Sequence, residues 1–347
     1  MKRALLVVVA AVLSVTAAHA QNVTLTMAAA QPGGTTDASA RNLAEVAAAG
    51  KIATIQVQVG QTLTRTVQQV AEGKTDITAG PLGLPFLMSR GLGPYSGLGA
   101  DKGKELAANL RMLYPYHIAT FYLTAYQATG IDSWEKLKGK TVFNGPPLGS
   151  ATTLARHMIQ ATTGMKEGEG YTGKQIAWGQ ANEIFIDRSV DAAVRPGTNP
   201  DPNLPVLLSA GNINLISVPK EKFEADVWQK LVGAPGRVPV VHPVKEFAHY
   251  GPTVKVISAD DTFRTVGEAA GELVNKDMDK KVAKALTAAF IKSLPEFFKK
   301  TPFAKSSLFG EVADSKMGMC RAGVKFHPGA VEAWEEAGFK IDACAKP

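Results

Sequence analysis

Long apolar stretches and runs of like charge are both missing from most of this sequence. After Gln21, no segment offers the about 18 uninterrupted apolar residues that a membrane-spanning helix needs. Lys and Arg are scattered among Asp and Glu, with no run of five. That pattern argues against a nucleic-acid-binding tail, and the net charge of +7 at most favours anionic small molecules as partners.

The motifs that signal catalysis or a metal are also missing. The chain has no His-Glu-x-x-His, no Gly-x-Ser-x-Gly and no complete phosphate-binding loop. The segment Ser133–Lys136 matches the Ser-x-x-Lys of penicillin-binding enzymes, but it lacks a Lys-Thr-Gly partner, and Asp132 and Ser133 are better explained as a helix cap. Five of the six histidines, at 117, 157, 242, 249 and 327, stand apart in the sequence. We expect no enzyme, no metal and no cofactor.

Cysteine is nearly absent, since only Cys320 and Cys344 occur. In an oxidising compartment, two cysteines this close most simply form a disulfide, and the alternative is a pair of free buried thiols. The chain-entropy model gives such a bond a stabilisation of roughly 3 kcal/mol.

An export signal is the clearest feature that is present. Lys2 and Arg3 form a basic start, Leu5–Val15 is apolar but too short to span a bilayer, and Ala18–Ala20 has the small-x-small pattern of a cleavage site. The alternative is an N-terminal membrane anchor. We expect cleavage near Gln21, a charge of +5 after Lys2 and Arg3 are lost, and a periplasmic protein that is not membrane-anchored.

The remaining chain alternates strands and helices in two similar units. The first has strands at Val23–Met27, Ile52–Val59 and Asp76–Ala79, with helices between them. This β-α-β-α-β order is the unit of a parallel sheet. About 327 residues also favour two domains over one.

The second unit follows the same plan, with strands at Thr141–Phe143, Ile176–Trp178 and Asp191–Val194. The apolar, aromatic segment Tyr114–Tyr126 would cross between the units, and a helix-rich segment from about Arg264 would return. We therefore predict an α/β fold with two lobes and a two-crossing hinge: residues 21–123 plus 265–347 form lobe I, and 124–264 form lobe II.

Turns at helix starts are the candidate binding site. Backbone N–H groups at a helix N-terminus attract carboxylate or phosphate, and ligands bind beyond the carboxyl ends of parallel strands. The alternative is that these turns only cap helices. The turn residues that we select are Gly34, Thr35, Thr36, Thr62, Thr64, Gly80, Pro81, Gly149, Ser150 and Thr152.

Five further residues complete the candidate site. Arg65 and Arg195 could each clamp a carboxylate bidentately, and the alternative is a surface ion pair. Tyr116 and His117 lie near the proposed crossing and could line the pocket, although core packing would explain them as well. Gln180 follows the second lobe's predicted strand.

Several short motifs resemble the TAXI family, the extracytoplasmic solute receptors associated with TRAP transporters. The C-terminal Phe326–Ala330, followed by Glu336-Ala337-Gly338, is the most specific of them. The others are Pro32–Thr35, Val70–Ile77, Leu137–Lys140 and Val190–Ala193.

The resemblance implies a Venus-flytrap periplasmic binding protein that passes its ligand to TRAP membrane permease subunits. Glutamate, 2-oxoglutarate and related carboxylates are ligands of that family. This chain departs from the family at Gly60–Arg65 and Val194–Gly197, where ligand contacts are expected, so we expect a small organic anion, such as a dicarboxylate, an oxo acid or an acidic amino acid. The alternative function is a periplasmic sensor that presents its ligand to a kinase.

Overall fold

The computed structural model describes residues 23–147 and 149–347. The predicted export signal, residues 1–20, lies outside these ranges. Within them, no helix is both long and apolar enough to cross a membrane. One mixed sheet of eleven strands, flanked by helices, runs through the described part of the chain.

The first lobe begins with three parallel strands joined by two helices. Its elements are β1 (Val23–Ala28), α1 (Thr35–Ala49), β2 (Ala53–Gln58), α2 (Leu63–Ala71) and β3 (Ile77–Pro81), then α3 (Gly83–Ser89) and α4 (Gly99–Ala107). β1 lies between β2 and β3. Leu43 of α1 and Val67 of α2 are fully buried, because apolar residues at helical spacing face the sheet. The predicted β-α-β-α-β order is confirmed, and a long strand, β4 (Leu110–Tyr126), leaves this lobe.

The second lobe contains the shorter strands of the sheet. Its elements are β5 (Thr141–Phe143), α5 (Ser150–Thr163), β6 (Thr172–Lys174), α6 (Ala181–Ile186), β7 (Ala192–Gly197), α7 (Leu204–Leu208), β8 (Ile213–Ile216), α8 (Lys220–Phe223), α9 (Asp226–Val232), β9 (Arg237–Pro243) and β10 (Val254–Ile257). β5 pairs in parallel with β6 and β7, and β8 pairs in parallel with β10.

The predicted strand at Ile176–Trp178 was wrong. The strand that pairs with β5 is β6, four residues earlier, and Trp178 begins a 3-10 turn instead. Ile176 and Trp178 were chosen because they are apolar, but β6 is an edge strand whose Thr172 and Lys174 side chains are exposed. An edge strand needs no apolar face, and Trp178 packs edge-on against Phe143 at the end of β5.

The return to the first lobe is made by a strand, β11 (Thr262–Asn275), so the predicted helix-rich segment begins later than expected. β11 pairs with β9 over Thr262–Glu268, with β3 over Ala270–Val274, and with β4 from Gly267 onward. Small residues permit this crowding: a Cβ at Gly271 would collide with the side chain of Met112. The predicted boundaries at 123/124 and 264/265 fall within β4 and β11.

The C-terminal segment packs on the first lobe. It comprises α10 (Lys280–Lys300), α11 (Asp314–Met317), α12 (Met319–Ala322) and α13 (Pro328–Glu336). The predicted disulfide is confirmed: Cys320 and Cys344 are bonded, with their Cα atoms 5.5 Å apart.

The C-terminal motif Phe326–Ala330 has a structural role. The backbone N–H of Gly329 donates to His327 Nδ1 at 3.2 Å, which caps α13, so the other ring nitrogen donates to the carbonyl of Met278 at 3.1 Å. A Cβ at Gly329 would collide with the carbonyl oxygen of Lys280. The motif therefore lets α13 approach α10 closely.

Candidate ligand-binding cleft

A cleft of about 680 Å³, which includes space open to solvent, lies between the two lobes. Its floor is formed by the two long strands, through Ile118, Ala119 and Phe121 of β4 and Glu268 of β11. The cleft is therefore at the place where both strands pass from one lobe to the other.

The first-lobe wall is the beginning of α1 and α2, where Gly34, Thr35, Thr36 and Thr62 line the cleft. Gly34 precedes α1 without a side-chain cap. The turn before it is fixed by Asp37, whose carboxylate accepts from the N–H of Gly33 at 2.8 Å, and by Thr36, whose hydroxyl accepts from the N–H of Ala30 at 2.9 Å. Local hydrogen bonds thus aim the start of α1 at the cleft.

The second-lobe wall includes the beginning of α5, through Gly149, Ser150 and Ala151. The Thr152 hydroxyl donates to the carbonyl of Pro146 at 2.6 Å and holds the preceding turn. Gly145 has a φ of +116°, and a Cβ there would lie 2.7 Å from Thr152 Oγ1, so this turn requires glycine. α5 also begins without a side-chain cap.

The two helix starts place unpaired amides on opposite sides of the cleft. Among the described residues, no acceptor receives a hydrogen bond from the backbone N–H of Thr35, Thr36, Ser150 or Ala151. First-turn amides and the helix dipole together create positive potential at such an end. α5 has no acid in its first turn, whereas α1 has Asp37, whose charge is paired with Arg41. The cleft therefore offers two facing sites for a carboxylate or another small anion, and the start of α5 is the stronger one.

An internal ion pair occupies one corner of the cleft. Arg195 of β7 donates from Nη1 to Asp201 Oδ2 at 2.7 Å, and both side chains are 6% exposed. Asp201 lines the cleft, and its second oxygen accepts from the N–H of Asn203 at 2.9 Å. This carboxylate is therefore already satisfied by protein groups.

Glu268 is the second carboxylate of the cleft and differs from Asp201 in having no close partner. Glu268 is 7% exposed, and no described residue forms a hydrogen bond or an ion pair with its carboxylate. Burial raises the pKa of Glu268 to about 7, opposed only by the more distant charge of Arg237. Glu268 therefore sits in the floor as an acid that titrates near neutral pH.

Apolar side chains form much of the remaining surface. The apolar residues that line the cleft include Leu63, Pro81, Phe121, Pro146, Trp178 and Pro196. Among the described residues, Asp201 and Glu268 are the only charged side chains of the lining. The arrangement suits an apolar body with an anionic group at one end.

The structure brings seven of the selected site residues together at the cleft. These are Gly34, Thr35, Thr36, Thr62, Pro81, Gly149 and Ser150. The other eight lie outside its lining: Thr64, Arg65, Gly80, Tyr116, His117, Thr152, Gln180 and Arg195.

The residues outside the lining have identifiable positions. Arg65 and Gln180 are exposed on the surface, and Gly80 packs against Leu273. Tyr116 is fully buried and donates to Glu272 at 2.8 Å. His117 lies 3.3 Å from the carbonyl of Lys316, and burial lowers its pKa. Thr64, like Thr152, is a buried residue of a helix start.

Sequence reasoning missed Glu268, Asp201 and Trp178. For Glu268 a signal existed, because it and Glu272 are the only charges in a run of small and apolar residues from 265 to 274. A charge within such a buried strand is rare enough to indicate a functional or structural site. Asp201 lies in a loop and Trp178 begins a short 3-10 turn, and no periodicity marks either residue.

Comparison with known proteins agrees with this architecture. A protein of Bordetella bronchiseptica RB50 superposes with a TM-score of 0.55 at 13% identity, covering 91% of this chain and 98% of the other. A TRAP periplasmic solute-binding protein of Sulfitobacter sp. NAS-14.1, with bound β-D-galacturonate, gives 0.47 at 12% identity, covering 90% and 94%. One from Desulfovibrio salexigens, with bound orotic acid, gives 0.46 at 10% identity, covering 93% and 88%.

The predicted α/β fold of two lobes, with sheet strands flanked by helices, is confirmed, and the Bordetella bronchiseptica protein shares this fold. The model of the NMT1-like family matches residues 27–338, and the chain belongs to that family. No curated protein sequence matches the chain significantly.

Proposed function

We propose that this protein is an extracytoplasmic solute-binding receptor that captures a small organic acid in the interlobe cleft. One observation carries the proposal: two helices from opposite lobes, α1 and α5, both begin at the cleft with unpaired amides. A carboxylate held between them would contact both lobes at once. Binding without turnover fits the described lining residues, among which no nucleophile is hydrogen-bonded to a base.

Ligand capture would work by closure of the lobes. Contacts that exist only when both walls touch the ligand shift the balance toward the closed form. The hinge would be the middle of β4 and β11, where the predicted boundaries of residues 21–123 plus 265–347 and 124–264 fall. The floor residues Ala119 and Glu268, paired across these strands, would then lie at the pivot.

The ligand should carry one carboxylate rather than two. Two arginines in the sequence favour an acid with two anionic groups, but Arg65 is exposed outside the cleft lining, and Arg195 is held by Asp201. A second carboxylate would also meet Glu268. An organic acid with an apolar body and a single anionic end matches the lining best.

Delivery to a TRAP-type membrane permease, membership of the TAXI subfamily and a periplasmic location complete the proposal. The motif resemblance and the export signal in the sequence support these three points. The chain's membership of the NMT1-like family is consistent with them.

The test replaces Ser150 by Asp at the start of α5. An acid in a helix's first turn favours the helix by about 0.3–1 kcal/mol, so Ser150→Asp should fold, while its charge occupies the anion site and repels a carboxylate. Calorimetric titration with a panel of monocarboxylic acids should show binding to the wild type and at least a tenfold loss in the variant. A ligand at about 100 times its Kd should also stabilise the wild type by about 2.7 kcal/mol.

The matched control is Ala100→Asp, an acid in the first turn of α4 at an exposed position outside the cleft. This variant should bind the same acids with unchanged Kd. An unchanged Kd in Ser150→Asp would contradict the proposed site, because no carboxylate could then sit at the start of α5.

A further inference from the structure

No described residue donates a hydrogen bond to the Glu268 carboxylate, although the residue is only 7% exposed in the cleft floor. Its backbone is fixed on both sides, since β11 pairs Glu268 with Ala119 of β4 and with Arg237 of β9. The strand register therefore holds the side chain at the cleft, and its carboxylate oxygens, unlike Oε2 of Glu272, are not fully enclosed by protein. A buried carboxylate without a donor is costly, so this position is explained most simply by a donor that arrives with the ligand.

None of the charged side chains near Glu268 acts as a hydrogen-bond donor to its carboxylate. Arg237 lies opposite Glu268 on β9, and both residues line an adjoining recess together with His157. Even so, the guanidinium of Arg237 forms no ion pair with the Glu268 carboxylate, whose pKa it lowers only through its charge. Burial lowers the pKa of Arg237, and the nearby charge of Glu268 opposes that shift. Across the cleft, Asp201 is occupied by Arg195. Among the described residues, no cation of the cleft lining faces the Glu268 carboxylate.

The ligand's anionic end and its donor would occupy different parts of the cleft. The helix starts at Thr35 and Ser150 offer only N–H and O–H donors to a carboxylate, whereas Glu268 offers acceptors. Phe121 and Trp178 supply an apolar surface for the rest of the ligand. The helix starts, the Glu268 acceptor and the apolar surface together define one chemical class of ligand.

We propose that Glu268 is a specificity-determining residue that accepts a hydrogen bond from an ammonium or hydroxyl group of the ligand, so that the cleft takes amino acids or hydroxy acids with an apolar body. This inference rests on the proposed function, which supplies the carboxylate-binding helix starts. It disfavours dicarboxylates, because the ionised form of Glu268 would repel a second carboxylate. An ammonium group beside Glu268 would favour its ionised form and so lower its pKa from about 7.

The test compares acids that share one skeleton and differ in the donor. The probes are leucine, 2-hydroxy-4-methylpentanoate and 4-methylpentanoate, then phenylalanine, 3-phenyllactate and 3-phenylpropanoate, with 3-methylglutarate as the dicarboxylate. Kd values are measured by calorimetry at neutral pH for the wild type, Glu268→Gln and Glu272→Gln. Glu272 is the matched control, because it lies on the same strand, is also buried and does not line the cleft.

The wild type should bind the ammonium or hydroxyl acid of at least one skeleton about 10- to 100-fold more tightly than the acid without a donor, as expected for a hydrogen bond to a charged group. Glu268→Gln should lose most of the preference for ammonium and keep a preference for hydroxyl, since an amide oxygen still accepts. That difference tells which donor the ligand carries. Glu272→Gln should keep the wild-type preference.

Two results would overturn the assignment of Glu268. One is equal or tighter binding of the donor-free acids or of 3-methylglutarate by the wild type. The other is a donor preference that Glu268→Gln leaves unchanged. Failure of all seven acids to bind would contradict the proposed function itself, and the inference with it.

Discussion

Glu272 provides a prediction about stability that can be worked out from its surroundings. The side chain is fully buried on β11, and its Oε1 accepts from Ser39 Oγ at 2.7 Å and from the Tyr116 hydroxyl at 2.8 Å. Among the described residues, its Oε2 has no hydrogen-bond partner. Burial raises the pKa of Glu272 from 4.5 to about 7, although both hydrogen bonds oppose the shift.

The sign of the effect follows from proton linkage. Between about pH 4.5 and pH 7 the folded protein keeps a proton on Glu272 that the unfolded chain has lost, so the free energy of unfolding falls as pH rises. A shift from 4.5 to about 7, at 1.36 kcal/mol per pH unit, corresponds to about 3 kcal/mol lost across this window. The pKa of Glu268 is raised by a similar amount. Glu272 should therefore account for about half of the free energy of unfolding that the two residues together lose as pH rises.

The variant Glu272→Gln removes the titration and keeps an oxygen that can accept from Ser39 and Tyr116. Urea unfolding at a series of pH values should show the variant gaining about 3 kcal/mol relative to the wild type between pH 4.5 and pH 8. At the acid end the variant should be less stable by about 1 kcal/mol, because its amide N–H groups find no acceptor. Parallel curves for the two proteins would refute the reasoning, since they would show that Glu272 does not change its pKa on folding.

Two further predictions concern covalent and ionic links. Cys320→Ser with Cys344→Ser should lower the free energy of unfolding by about 3 kcal/mol, measured by urea unfolding against the oxidised wild type, and no difference would contradict a stabilising disulfide. Arg195→Met should destabilise the protein by about 3–5 kcal/mol, because it strands the Asp201 carboxylate, and adding Asp201→Asn should recover most of that loss. An equal loss in the single and double variants would show that the ion pair is not the cause.

The sequence was sufficient for features that depend on local chemistry. The glycines before Thr35 and before Ser150 identify two helix starts, and both lie at the cleft. Apolar spacing located α1 and α2, since buried faces follow the helical period. The expectation of an oxidising compartment also predicted the disulfide between Cys320 and Cys344.

The features that the sequence did not predict depend on contacts between distant parts of the chain. Glu268 reaches the cleft floor only because β11 pairs with β4, about 150 residues earlier in the sequence. Arg195 has the right chemistry to clamp a ligand, but a loop brings Asp201 back against it. The pairing of β6 rather than Ile176–Trp178 was missed because an edge strand carries no apolar pattern.

The most direct test of the central claim is native mass spectrometry of the purified protein, followed by release and identification of whatever is bound. We expect one molecule per chain of an organic acid with a single carboxylate, an ammonium or hydroxyl group and an apolar body, and its absence from Ser150→Asp prepared in the same way. A bound compound without an anionic group, or the same acid retained by Ser150→Asp, would contradict the claim that the helix starts of the two lobes hold a carboxylate.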